Sequence, residues 1–311
     1  MTAWTDATGI NFFETNGVAQ ITFDDNATGA YENDVFSNGI TTSATINIGT
    51  AWIAGDGQNL NSYSFQTYIH EIGHALGLGH AGNYNGSATY GVDNQYTNDS
   101  WQATVMSYFS QTDNTSMANS FAYIMTPMMA DLIAVGAMYG ATTTAHLGAT
   151  IYGFGTNTGN AVYNAALNPG VSYTILDSGG VDTMNYSGFS QAQLINLYSE
   201  TFSNIGGLVG NVGIARNTII ENAIGGSGND TIFGNQVGNF LNGAAGYDYI
   251  DGGAGNDTVD YSGATGASYI ELYLNRAYND GYGFYDSLFN VESVYGGSFG
   301  DTIVADAEPI P

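Results

Sequence analysis

Four nine-residue segments run without slippage through residues 225–260: GGSGNDTIF from 225, GNQVGNFLN from 234, GAAGYDYID from 243 and GGAGNDTVD from 252. So strict a period admits few folds. The units approximate G-G-x-G-x-D-x-U-x, where U is apolar. Glycines permit a tight turn whose carbonyls face inward, the Asp adds a hard anionic oxygen, and the apolar residue begins a short strand whose side chain fills a core. Stacked turns of this kind bind calcium between them and wind into a parallel β-roll. The pattern therefore places carboxylate ligands at Asp230, Asp248 and Asp257, and backbone ligands at Gly226, Gly228, Gly246, Gly253 and Gly255. Ile232, Ile250 and Val259 should point inward. Asn239 stands where the 234 unit should carry Asp. If each turn pairs with the next but one, the site between 234 and 252 is the weaker one.

A longer echo overlies the period. DTMNYSG at 182–188 returns as DTVDYSG at 257–263, and ENAIGGSGNDTI at 221–232 returns as ESVYGGSFGDTI at 292–303, at offsets of 75 and 71 residues. Duplication is the simplest account. Residues 1–140 have another texture, with all three Trp and three of the four His. ATINIGTAWIAG at 44–55 reads as a strand, Gln66 to Leu78 as a helix, and Thr126-Pro127 as the opening of another helix with Pro at its first position. The expected architecture is an α+β domain over 1–143, followed over 144–311 by an all-β parallel roll.

Charge narrows the partners. The chain has 28 acidic residues against two arginines, Arg216 and Arg276, and no lysine, for a net charge of −26. Such a surface repels nucleic acid and anionic membranes. It suits either a salty medium or many bound calcium ions. Cysteine is absent, so a core or metal must stabilise the fold. The start, MTAWTDATG, shows no Sec signal peptide. The most apolar run, Phe121 to Tyr139, is broken by Pro127 and Asp131 and fits an amphipathic or buried helix better than a membrane span.

The sharpest motif is HEIGHALGLGH at 70–80. On a helix, His70 and His74 leave the same face one turn apart, a spacing suited to two ligands of one tetrahedral zinc. Glu71 can reach a water on that metal. Gly77 can break the helix with φ > 0 and bring His80 to a third side. Three neutral nitrogens with one open position form a catalytic layout, and the HExxHxxGxxH pattern is far more specific than HExxH alone.

With this motif the chain resembles the metzincin zinc endopeptidases. These carry a methionine turn beneath the metal, matched here by TVMSYF at 104–109 with Met106 as the turn residue. Met-Ser-Tyr and the nonapeptides resemble the serralysin family rather than astacin-like or matrixin-like enzymes. The resemblance extends through YGFGTNTGN at 152–160 and DSGGVDTMNYSG at 177–188, covering roughly residues 2 to 260. It implies that Tyr108 is an additional zinc ligand, released when substrate binds to donate a hydrogen bond to the oxyanion. It also implies calcium sites at Gly148, Thr150, Asp177, Gly179, Asp182 and Glu221.

A secreted monomeric endopeptidase follows from the resemblance, with one catalytic zinc, several structural calcium ions, protein substrates and a proteinaceous inhibitor as a further partner. Glu71 would activate the zinc-bound water, and the stretch around Trp52 would lie beside an extended substrate. The rival reading is a calcium-binding surface or adhesive protein whose zinc site is not catalytic; Glu71 argues against it. Ala81 departs from the Pro that commonly follows the third His. Serralysins are longer at both ends, so a shortened start and a truncated end, DTIVADAEPIP without an apolar export signature, are expected here. The missing lysines and abundant glycine suggest cold or salt adaptation.

Overall fold

A computed structural model of the chain describes residues 1–37, 40–140 and 145–305. These fall into two compact units, residues 1–145 with 170–176, and residues 146–169 with 177–311. The boundary expected between 143 and 144 lies outside the described residues. The strand Val171–Ile175 belongs with the first unit.

The first unit runs α1 (Thr2–Thr8), β1 (Ile21–Asp24), β2 (Ala30–Ser37), β3 (Ile40–Ile48), α2 (Thr50–Asp56), α3 (Tyr63–Ala75) and α4 (Met129–Tyr139). Its sheet has the order β1-β3-β2, with β1 parallel and β2 antiparallel to the central β3. Alternate residues of β3, Ala44, Ile46 and Ile48, are buried, as a strand with one covered face requires, and α3 packs on this sheet. Ser62 starts α3 by accepting the Phe65 N–H at 3.2 Å, a hydroxyl satisfying an orphan donor of the first turn. Gly77, at φ +94°, ends it; its N–H bonds the His74 carbonyl at 2.7 Å. The fully buried Trp4 ties α1 to α3 through an indole N–H to Ile69 O bond of 3.0 Å.

Two local expectations need correction. The strand read over 44–55 stops at Ile48; Gly49 caps α2, and Trp52 sits on that helix. Trp52 is therefore not on a strand that an extended peptide could join. Its ring lies 5.7 Å from Tyr63 and its indole N–H reaches Thr67 Oγ1 at 3.3 Å, so packing on α3 overrides the apparent alternation. Pro127 precedes the cap residue Met128 rather than opening α4. Asp131 fixes the start by accepting the Met128 N–H at 2.8 Å. The apolar run yields a helix that buries Asp131 and Val135. Among the described residues, no helix is long and apolar enough to cross a membrane.

The second unit is built of short, mostly parallel strands. Six form one all-parallel sheet in the order 293–295, 258–260, 240–242, 222–224, 183–185, 151–153. Seven form another, in the order 302–304, 269–271, 276–279, 286–289, 249–253, 231–235, 194–196; only 276–279 is antiparallel to its neighbours. Ile232 pairs with Ile250, and Leu241 with Val259, a register of 18 residues. Two nonapeptides thus make one turn, and successive units alternate between the sheets, an arrangement consistent with a β-roll. Met184, Ile195, Ala223, Ile232, Leu241, Ile250 and Val259 are wholly buried, each large side chain contributing about 1.5–3 kcal/mol.

The internal echo is structural too. Strand 183–185 pairs with 222–224 as 258–260 pairs with 293–295, and 194–196 pairs with 231–235 as 269–271 pairs with 302–304. Individual hydrogen bonds repeat. Asp182 N–H donates to Glu221 at 2.7 Å and Asp257 N–H to Glu292 at 2.8 Å.

Candidate metal centre

Helix α3 presents His70 and His74 on one face, and the reversal at Gly77 returns His80 beside them. Nε2 of His74 lies 3.1 Å from Nε2 of His70 and 3.1 Å from Nε2 of His80. Each Nδ1 contacts a backbone carbonyl: Val105 at 2.7 Å, Leu78 at 2.8 Å and Tyr84 at 2.9 Å. A carbonyl only accepts, so every Nδ1 carries the hydrogen and every neutral ring turns an Nε2 lone pair inward. Facing lone pairs repel one another, and a shared cation removes the conflict. Tetrahedral zinc with ordinary Zn–N bonds would space its nitrogens about 3.3 Å apart. Burial, aided by the charge of His74, lowers His70 to about 3 and His80 to about 4, and burial lowers His74 as well. The rings therefore hold the ligand form at neutral pH, and the donor set fits zinc.

The ring positions are fixed from beneath. Met106, 2% exposed, lies under α3 where the helix carries Gly73. Asp131 accepts the Thr104 hydroxyl and, at 2.8 Å, the Val105 N–H, which holds the carbonyl that orients His70. Asp99 does the same for the His80 side, accepting from Ser107 Oγ at 2.6 Å and from Tyr84 at 3.1 Å. A Cβ on Gly73 would stand 2.6 Å from Met106 Sδ and 3.2 Å from the Trp4 ring. Gly73→Ala should therefore cost about 1–3 kcal/mol by overpacking. A urea midpoint equal to that of the unsubstituted chain would show that Met106 yields freely.

Glu71 is buried beside His70. Burial first, and then the charge of Glu32, raise its carboxyl to about 7. Glu32 alternates with Asp34 on β2, both half-buried while Tyr31, Asn33 and Val35 are exposed. Tyr108 stacks edge-on to His80, centroids 4.4 Å apart, and its oxygen accepts the Gly86 N–H at 3.4 Å. Trp52, Tyr63, His70, Glu71, Trp101 and Tyr108 are among the residues lining a cleft of about 550 Å³, a usual size for a ligand site. The sequence reading missed Glu32, Asp99 and Asp131. Each acts across the fold, and the alternation of Glu32 with Asp34 is the only local trace.

In the second unit the residues assigned to calcium also converge. Thr150 N–H donates to Asp182 at 2.8 Å, Thr150 Oγ1 to the Gly148 carbonyl at 3.0 Å, and Gly179 N–H to Asp177 at 2.8 Å. Asp182 N–H bonds Glu221, closing the group. In the nonapeptides, Asp230 N–H donates to Asp248 at 2.8 Å and Asn239 N–H to Asp257 at 2.7 Å. Asp230 also takes the Gly226 N–H at 2.6 Å. Gly246 is at φ +143°, and a Cβ there would meet the Gly228 carbonyl at 2.2 Å; Gly255 repeats this against Val237 at 2.6 Å, and Gly253 against Asn235 at 2.6 Å. Only a glycine fits such an approach. Among the described residues Asp182, Asp248 and Asp257 each keep a buried Oδ2 with no partner. Asn239 instead accepts the Asn235 N–H on its single oxygen at 2.8 Å and donates its amide to the Glu221 carbonyl at 3.0 Å, so it lacks the second, unpartnered oxygen that these aspartates keep.

Comparison with known proteins finds a family match in each half of the chain. Residues 13–132 match the model for metallo-peptidase family M12B, reprolysin-like, and residues 141–282 match that for the peptidase M10 serralysin C terminal. Both matched models describe metallopeptidase families. A serralysin of Photorhabdus luminescens is 42% identical over 77% of this chain and 51% of its own length. The metallopeptidase AprA of Pseudomonas marginalis is 38% identical over 78% and 54%, and a serralysin of Proteus mirabilis 42% over 76% and 48%. The chain is thus similar to serralysins over about three quarters of its own length. It spans about half the length of the curated relatives it matches.

Proposed function

We propose that the chain is a secreted zinc-dependent endopeptidase acting on extracellular proteins. The observation that carries this reading is the meeting of three Nε2 lone pairs with the buried Glu71 on the wall of an open cleft. A zinc ion held by His70, His74 and His80 would supply Lewis acidity, polarising a carbonyl and acidifying water. Glu71, its proton affinity raised by burial, accepts a proton from the attacking water and delivers it to the leaving amine. Tyr108, held loosely by Gly86, swings to donate a hydrogen bond to the developing oxyanion; the family resemblance also makes it a ligand in the resting state. The first unit is the catalytic domain, and the second a roll stabilised by calcium. That dependence suits millimolar extracellular calcium and favours a secreted protein. A purely adhesive role leaves a carboxylate beside an open metal position without purpose.

Elemental analysis paired with casein hydrolysis tests the proposal. One zinc per chain is expected, with activity that disappears when phenanthroline strips the metal and returns when zinc is restored. Cleavage that persists in the stripped protein would refute it.

A further inference from the structure

The cleft beside the three histidines has a wall of rings that the zinc chemistry does not use. Trp52 on α2, Tyr63 at the start of α3, and Trp101 all line it. The Tyr63 ring lies 5.7 Å from Trp52 and 5.8 Å from Trp101, with planes inclined by 32° and 27°. Trp101, nearly buried, backs the row, while Trp52 and Tyr63 are partly exposed. Tyr63 precedes His70 by about two helical turns, so the wall extends along α3 away from the histidines.

The polar ends of this wall are already engaged. Trp52 donates its indole N–H to Thr67 Oγ1 at 3.3 Å, and Trp101 donates to the Ser107 carbonyl at 3.0 Å. The side-chain oxygen of Gln66, on the same wall, accepts the Ile124 N–H at 2.9 Å. These bonds fix the indoles and leave π faces and carbon edges to meet a ligand. Charge then selects among ligands. Asp56 is exposed and stands one turn beyond Trp52 on the same face of α2. After burial, its charge is the largest influence raising the Tyr63 hydroxyl, ahead of Tyr108 and Glu71. No side-chain cation answers it, since residues 1–145 contain neither lysine nor arginine. An acidic ligand is repelled here, and a purely apolar one leaves the field unused. A flat guanidinium on an apolar stem suits both features, because ring faces attract and stack with it and the carboxylate adds to the attraction.

We infer that Trp52, Tyr63 and Trp101, with Asp56 beside them, form a subsite for an arginine side chain of the substrate. The inference rests on the peptidase reading and deepens it, from protein substrates in general to segments that carry arginine near the scissile bond.

The test uses the full chain loaded with zinc and calcium, and peptides that differ at one residue, Arg, Lys, citrulline or Leu, scanned through successive positions. Citrulline keeps the shape of arginine without its charge. At the position that enters the subsite, kcat/KM for Arg should exceed that for citrulline by about tenfold, and the advantage should shrink as salt is raised. Binding supplies a second reading. On zinc-loaded Glu71→Gln, the Arg peptide should quench tryptophan fluorescence at a concentration about tenfold lower than the citrulline peptide. Asp56→Asn and Trp52→Leu should each bring the Arg-to-citrulline ratio close to one, with circular dichroism checking that they fold. Glu14→Gln removes an exposed charge between Phe13 and Thr15, which line a separate cavity with Ala75 and Leu76 at the C-terminal end of α3; it should leave the ratio as it is. A wild-type ratio near one would overturn the subsite, as would an equal fall in Glu14→Gln or a preference for Leu over Arg at every position, and each leaves the peptidase reading intact. Cleavage of none of the peptides would strike the peptidase reading itself, and the binding ratio on Glu71→Gln would still decide the subsite.

Discussion

Glu71→Gln should lower casein hydrolysis by about 10²–10⁴-fold while the chain still holds one zinc. Gln occupies the same volume, so the buried position on α3 keeps its packing, and the three histidine rings retain the carbonyls that orient them. What disappears is a proton acceptor. Its strength comes from burial and from Glu32, which together raise the carboxyl to about 7, close to where a general base works best. Steady-state rates and zinc content measured on the same preparation decide the matter. If the variant lost its zinc as well, Glu71 would be holding the site together; wild-type rates would remove it from the mechanism.

Withdrawal of calcium should collapse the second unit. Asp182, Asp248 and Asp257 keep buried, unpartnered oxygens, and each uncompensated buried charge costs several kcal/mol. Together three such charges cost about as much as the whole stability of about 5–15 kcal/mol typical of a domain. With EGTA, far-ultraviolet circular dichroism should lose its β signal, and calcium should restore it; an unchanged spectrum would refute a calcium-stacked roll. The pH dependence has a definite sign. Burial raises Asp177 to about 7 and Asp248 to about 8 in the ion-free fold, against about 3.9 in an unfolded chain. Between these values the folded form binds more protons than the unfolded one, so ion-free stability falls as pH rises. Collapse in EGTA should be complete near pH 8 and attenuated near pH 5.

Legibility followed the range of the interactions. The nonapeptides specify their own turns, because glycine at φ +143° and an Asp two residues on act within one loop, and the 18-residue register repeats them. The histidine motif could be read because helix periodicity and a single glycine reversal act within eleven residues. Trp52 could not be placed this way. Its stretch alternates well enough for a strand, and contacts with Tyr63 and Thr67, outside that window, made it helical. Asp99 and Asp131 escaped for the same reason, since their partners lie on other segments.

By itself the sequence determined the period of the second half, the three imidazoles and the acid between them, because each is encoded by neighbours a few residues apart. Tertiary structure alone decided which nitrogen each ring turns inward, what charge surrounds Glu71, and that Trp52, Tyr63 and Trp101 come to line one cleft. Those outcomes depend on burial and on partners distant in the chain, and no local pattern carries that information.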